Sequence, residues 1–299
     1  DLFVDGASGI ATKFGIPQIV IGLTIVAMGT SAPEAAVSIT AAFAGNADIT
    51  IGNIVGSNIL NILIILGISA LVYPLAIQKS TLIIDIPVVL LATVVLYLLG
   101  FDSKISRIDG IIMLVVFAAY LFYLFTVAKK EASQKKLSET TEHIQSEENV
   151  TKEISLLKAL IFTVIGLVLI VGGSKFVVNS ATAIAKALGL SQRFIGLTIV
   201  ALGTSLPELF TSVTAALKKN SDIAIGNIVG SNIFNILFIV GLSGLIIPVP
   251  FATDFRFDTI ISGVAAILLL LFCLPKKKLP RFAGVIMLIC YALYFMKIW

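Results

Sequence analysis

The stretch "GLTIVALGTSLPELFTSV", Gly196–Val213, is apolar enough to belong to a membrane span, yet its middle carries a proline, hydroxyls and a carboxylate. The chain says nearly the same thing earlier, as "GLTIVAMGTSAPEAAVSI", Gly22–Ile39. Working outward, Gly22–Leu75 aligns with Gly196–Val249 without a gap at a constant offset of 174, and 35 of the 54 positions are identical. Agreement at that level marks an internal duplication. Carried backwards, the same offset sets the apolar run Leu156–Lys175 against positions that begin before residue 1, so the first span is expected to lack its N-terminal portion. The chain also opens on Asp1 rather than methionine.

The 299 residues are 58% hydrophobic and only 13% charged, with a mean hydropathy of +1.07. That composition excludes a soluble domain and indicates a polytopic membrane protein. A hydrocarbon core of about 30 Å takes about 20 helical residues to cross. Apolar runs of that order recur along the chain and predict an all-α protein of ten spans: a partial one at the start, then Ile19–Phe43, Ile49–Tyr73, Thr81–Gly100, Ile108–Ala128, Leu156–Leu188, Phe194–Leu217, Ile223–Ile247, Thr259–Leu274 and Phe282–Met296. Cys273 and Cys290 both fall in late spans, so neither a disulfide framework nor a thiolate metal site is expected. The single histidine, His143, lies in the charged linker and removes imidazole from the spans.

Five spans per copy is an odd number, so the second copy should sit upside down relative to the first. Basic residues test this. With the linker Lys129–Ser155 placed in the cytoplasm, 14 Lys and Arg collect on the inner side: Lys13, Lys79, Lys129, Lys130, Lys135, Lys136, Lys152, Lys158, Lys218, Lys219, Lys276, Lys277, Lys278 and Arg281. The outer side collects six, Lys104, Arg107, Lys186, Arg193, Arg256 and Lys297, with Lys175 near the outer end of its span. The positive-inside rule is met, which places both termini outside in a multi-pass plasma (cell inner) membrane protein. The expected organisation is a first half over 1–128, a charged cytoplasmic tether over 129–155, and an inverted second half over 156–299. The sequon Asn149–Thr151 is cytoplasmic in this arrangement and is discarded.

In lipid a helix break survives only where something satisfies the freed backbone groups. Pro33 and Pro207 lack an N–H, which deprives the carbonyls of Gly29 and Gly203 of their usual donors. Glu34 and Glu208 follow at once, with Thr30 and Ser31, or Thr204 and Ser205, on the same helical face. The next span adds a polar stripe, Asn53, Ser57 and Asn61, repeated as Asn227, Ser231 and Asn235. For these side chains ion contact is weighed against interhelical hydrogen bonding, and for Asn53, Asn58, Asn227 and Asn232 the two stand level. The Gly52/Gly56 and Gly226/Gly230 spacings read as close helix packing. Asp85 is expected at the interface, and Asp48 and Asp222 as helix caps.

Two carboxylates, hydroxyls, amide oxygens and carbonyls form a hard, all-oxygen donor set. Such a set suits Ca²⁺ or Na⁺ rather than zinc or copper. An empty pair of carboxylates near mid-bilayer is costly, so the site should resist turning over without a cation. That is a physical basis for obligatory exchange.

At these residues a resemblance can be stated. Paired "GTSAPE" and "GTSLPE" motifs, each followed by "GNIVGSN", resemble the two repeats of the sodium/calcium exchangers in the cation/calcium antiporter superfamily, in their prokaryotic-type form. The resemblance implies two inverted five-helix repeats, with the second, third, seventh and eighth helices around the ions and the first and sixth sliding across them. It implies that Glu34 and Glu208 are the central ligands, that Thr30, Ser31, Thr204 and Ser205 supply hydroxyl or carbonyl oxygens, and that Ala27 and Ala201 supply backbone carbonyls. Ser57, Asn61, Ser231 and Asn235 complete the set. Some members, potassium-dependent exchangers among them, have an aspartate where Asn235 stands, which argues against K⁺ co-transport here. Proton-coupled relatives generally carry a different motif around the acidic residue, so the resemblance favours Na⁺ and leaves H⁺ open.

The expected function is therefore Ca²⁺ export in exchange for Na⁺ by alternating access, with no cofactor, no nucleic-acid partner, a lipid bilayer as surroundings and a monomer as the working unit. The nearest rival is a Ca²⁺/H⁺ exchanger on the same carboxylates. A cation channel is more distant, and an intramembrane protease lacks a nucleophile.

Overall fold

In a computed structural model, residues 1–45, 47–141, 155–187 and 201–298 are described. The helices in order are α1 (Leu2–Phe14), α2 (Gln18–Thr30) and α3 (Ala32–Phe43), α4 (Thr50–Val72), α5 (Thr81–Asp102), α6 (Arg107–Thr141) and α7 (Leu156–Ala187). They continue as α8 (Ala201–Thr204), α9 (Leu206–Leu217), α10 (Ser221–Ile246), α11 (Thr253–Cys273) and α12 (Arg281–Ile298). Among the described residues, four two-residue strands punctuate the loops: β1 (Leu75–Ala76), β2 (Lys104–Ile105), β3 (Val249–Pro250) and β4 (Lys278–Leu279). His143, the sequon and the start of the expected span Phe194–Leu217 lie outside the described residues.

Among the described residues, six stretches are each long and apolar enough to cross a membrane: α4, α5, Arg107–Lys130 of α6, Leu156–Gly173 of α7, α10 and α11. The pair α2 and α3 adds a seventh if counted as one span; its two members meet at a bend of 51°. The bend has a local cause. Ser31 leaves the helical region at φ −80°, ψ 8°, and Pro33 opens the next helix without an amide hydrogen to continue the ladder. Ser205, at φ −88°, ψ 5°, and Pro207 repeat this between α8 and α9.

Burial shows which helices form the core. Within the apolar windows, 94% of α10 and 78% of α4 is buried, against 22% of α6 and 17% of α7. Helices α4 and α10 thus form the centre, and α6 and α7 turn apolar side chains outward, as a lipid solvent permits. Close approach of α2 to α10 depends on glycine. A Cβ on Gly230 would stand 2.5 Å from the Leu23 carbonyl oxygen, and one on Gly226 would stand 2.9 Å from Gly22 Cα. The Gly226/Gly230 spacing is therefore a packing device, as read, whereas among the described residues a Cβ on Gly56 would meet nothing within 4 Å and one on Gly52 only the Phe255 ring. Helix α1 packs along α7, with Gly6 against Thr163 and Gly166 against Phe3.

The loops join across the repeat. Strand β1 pairs with β4, Leu75 opposite Leu279, and β2 pairs with β3, Ile105 opposite Val249. Because α5 separates β1 from β2, the two ribbons lie at opposite ends of that helix. At one end Arg281 donates to the carbonyls of Leu71 and Val72, the last residues of α4. At the other, Arg107 donates to Ile246 at the end of α10. A cation at a helix C-terminus meets both the orphan carbonyls and the negative end of the dipole. Arg107 and Arg281 are also 174 apart, so each copy caps the other's central helix.

Two acids are placed by their partners. Asp85 is buried within the protein, and the Tyr120 hydroxyl donates to it at 3.0 Å. Sequence position near a span's start gave no hint that α6 would lay a tyrosine against it. Asp222 does not cap its helix. Asn220 does, accepting from the Ile223 amide at 3.1 Å, while Asp222 accepts from Gln78 Nε2 at 2.7 Å. The Asp48 side chain lies outside the described residues.

Candidate ion-binding site

The two bends face each other across the core, and their side chains cross over. Ser31 Oγ, at the first bend, donates to Glu208 Oε1 at 2.7 Å. Ser205 Oγ, at the second, donates to Glu34 Oε1 at 3.2 Å. Both carboxylates are fully buried. The hydroxyls of the central helices join them: Ser57 Oγ lies 3.3 Å from Ser205 Oγ, and Ser231 Oγ lies 3.5 Å from Glu208 Oε1 and 3.3 Å from the Ala27 carbonyl oxygen. Hydrogen bonds from neutral hydroxyls to an acid are stronger than neutral pairs, which helps offset the cost of burying two acids.

Each glutamate also has one oxygen that bonds to nothing. Glu34 Oε2 and Glu208 Oε2 are buried without a hydrogen-bond partner, and so are Asn61 Oδ1 and Asn235 Oδ1. Asn61 follows Ser57 by one turn and Asn235 follows Ser231 likewise, so each unpartnered amide oxygen shares a helix face with the hydroxyl at the carboxylates. Four buried, unsatisfied acceptors in matched pairs are an unusual cost for a protein to carry. A cation relieves it in a way that no hydrogen-bond donor among the described residues does. Widened, π-helical turns over Asn61–Leu66 and Phe234–Val240 fall at these positions in both central helices; such turns recur at functional sites.

The other candidates fall nearby. Thr30 Oγ1 reaches the Asn227 side-chain oxygen at 2.9 Å and the carbonyls of Val26 and Ala27. Thr204, half-buried, ends α8 beside Ser205. Ala201 opens α8; its surroundings lie outside the described residues. Among the described residues there is no group of three or more His, Cys, Asp or Glu, so a cation here would be held mostly by neutral oxygens around two acids.

Asn53 and Asn227, level between two roles in the sequence, brace the bends. Asn53 Nδ2 donates to the Glu34 carbonyl at 3.4 Å and to Ser38 Oγ at 3.1 Å. Asn227 Nδ2 donates to the Glu208 carbonyl at 3.2 Å and to Ser212 Oγ at 2.9 Å. Ser38 and Ser212 escaped the sequence reading. The signal was present: each follows its glutamate by four residues, on the same helix face, and is kept in both copies.

Comparison with known proteins gives the family. The family model described as sodium/calcium exchanger protein matches residues 1–126 and 158–299. The sodium/calcium exchanger MaX1 of Methanosarcina acetivorans is 34% identical over 326 residues, covering 98% of this chain and 92% of that protein. The inner membrane protein YrbG of Escherichia coli is 36% identical over 293 residues, covering 96% and 88%. A structure of the sodium-calcium exchanger NCX_Mj soaked with Na⁺ and Ca²⁺ superposes with a TM-score of 0.83 at 32% identity, covering 99% of this chain and 92% of that one. With the matched model spanning nearly all of both halves, the chain belongs to the sodium/calcium exchanger family of membrane antiporters.

Proposed function

We propose that the protein exchanges Ca²⁺ for Na⁺ across the membrane by alternating access, binding its ions between Glu34 and Glu208. The observation that carries this reading is the crossed pair of glutamates, each held by the other bend's serine and each left with a buried, unpartnered oxygen. In the proposed ligand set the carboxylates are joined by Ser31, Ser205, Thr30, Thr204, Ser57, Ser231, the amide oxygens of Asn61 and Asn235, and the carbonyls of Ala27 and Ala201. Hard oxygens in that number suit both cargo ions. Without a cation the bare acids are too costly to move past the apolar core, so exchange is favoured over leak.

The architecture proposed is ten spans in two inverted halves. Its support is the reciprocity of cross-half contacts at an offset of 174: β1 with β4 and β2 with β3, Arg281 on α4 and Arg107 on α10, Ser31 on Glu208 and Ser205 on Glu34. An end-for-end relation places equivalent loops on opposite faces, which fits the excess of basic residues beside β1 and β4. That end is proposed to face the cytoplasm together with the linker 129–155, and both termini the outside. The proposed working unit is a monomer.

Purified protein in proteoliposomes, assayed for ⁴⁵Ca²⁺ flux, tests the function. Flux should require Na⁺ on the opposite side and stall without it. Undiminished flux in Na⁺-free buffer under a pH gradient would replace Na⁺ by H⁺. A sustained conductance with no counter-ion would make the protein a channel.

A further inference from the structure

At the middle of the core, where α4 and α10 cross, four asparagine side chains form a closed figure. Asn58 Nδ2 donates to the Asn232 backbone carbonyl at 3.1 Å, and Asn232 Nδ2 donates to the Asn58 backbone carbonyl at 3.1 Å. Their own side-chain oxygens then accept from the next turn. Asn235 Nδ2 donates to Asn58 Oδ1 at 3.0 Å, and Asn61 Nδ2 donates to Asn232 Oδ1 at 3.0 Å. All four residues are buried.

An asparagine amide is nearly symmetric in shape but not in charge. Turned one way it offers a cation an oxygen; turned the other way it offers an NH₂ group that repels one. In this protein the choice is made from behind. The NH₂ groups of Asn61 and Asn235 are occupied by Asn232 and Asn58, and what remains is the pair of unpartnered buried oxygens. Rotating either amide would set oxygen against oxygen at about 3 Å, a cost that buried polar groups seldom bear.

We infer that Asn58 and Asn232, which lie outside the proposed ligand set, are positioning residues that hold the Asn61 and Asn235 amides oxygen-first toward the transported ions. This rests on the ion-binding reading above. It also accounts for a sequence feature that the ligand set leaves unexplained, the asparagine retained directly after Ser57 and Ser231 in both copies. In each motif the serine faces the carboxylates, and its neighbour, turned by about 100° around the helix, faces the other central helix.

The inference makes a demand that a merely structural contact would not. A carboxylate shows an oxygen in either orientation, so an aspartate at position 235 needs no partner to orient it. Asn58→Leu should therefore raise the KM for Ca²⁺ at least about tenfold in ⁴⁵Ca²⁺ flux, and the double variant N58L/N235D should return it to within about threefold of N235D alone. A wild-type KM in N58L, or a double variant no better than N58L, would overturn the inference. Where N58L is not recovered folded, wild-type protein carrying ¹³Cγ-labelled asparagine decides the matter. On Ca²⁺ addition the Asn61 and Asn235 resonances should move while those of Asn58 and Asn232 hold still; equal shifts in all four would make Asn58 and Asn232 ligands and end the proposal. Wild-type protein without Ca²⁺ flux would remove the ion-binding reading and this inference together, whereas wild-type flux with an unaltered N58L removes the inference alone.

Discussion

Ser31 Oγ donates to Glu208 Oε1 at 2.7 Å, while its counterpart Ser205 Oγ donates to Glu34 Oε1 at 3.2 Å. The two halves are equivalent in sequence at these residues, yet the contact to the second acid is the shorter. A hydrogen bond to a charged acceptor contributes about 1.5–3 kcal/mol, and about 1.4 kcal/mol is a tenfold change in affinity. Ser31→Ala should accordingly weaken Ca²⁺ about 10- to 100-fold and Ser205→Ala by less. Ca²⁺-dependent flux over a concentration series measures both, and a larger effect at Ser205 would contradict this ranking.

Glu34→Gln and Glu208→Gln should each abolish Ca²⁺ transport while leaving folded, monodisperse protein. Glutamine keeps an oxygen to accept from the opposing serine, so the crossed bonds survive, but one of two charges needed to balance a divalent ion is gone. Flux and size-exclusion profiles together check this. Near-normal transport in either variant would remove the glutamates from the site.

Tyr120 and Tyr294 are equivalent by the offset of 174, and each donates to an aspartate at 3.0 Å: Asp85, buried, and Asp258, half-buried. Losing the donor to a buried acceptor costs about 1–3 kcal/mol. Tyr120→Phe should lower thermal stability by an amount of that order, and Tyr294→Phe by clearly less, since solvent or headgroups can reach Asp258. Thermal unfolding in one detergent compares them, and equal losses would refute the dependence on burial.

Gly230→Ala would place a methyl group 2.5 Å from the Leu23 carbonyl oxygen, whereas Gly263→Ala would find only Thr93 Cγ2, at 3.7 Å. Overpacking typically costs about 1–3 kcal/mol. Gly230→Ala should destabilise the protein by at least that much and impair transport, and Gly263→Ala should do neither. Stability and flux assays on the pair check the contrast.

The sequence by itself determined that the chain is a helical membrane protein, that it is duplicated, and that acids and hydroxyls interrupt its spans. Hydropathy, an exact offset and proline are local properties, legible wherever a residue's own chemistry restricts its options. Which oxygen is satisfied by which donor was decided only by the tertiary structure. Ser31 lies three residues from Glu34, and helical spacing links it with that acid, yet its hydroxyl bonds to Glu208, 177 residues away. That Tyr120 reaches Asp85 is decided only where α6 packs, and whether Asn58 takes ion contact or an interhelical hydrogen bond stays open until α10 crosses α4. The physical reason is common to all three: a hydrogen bond is a short-range contact, and between helices it depends on a crossing angle and depth that no single span encodes.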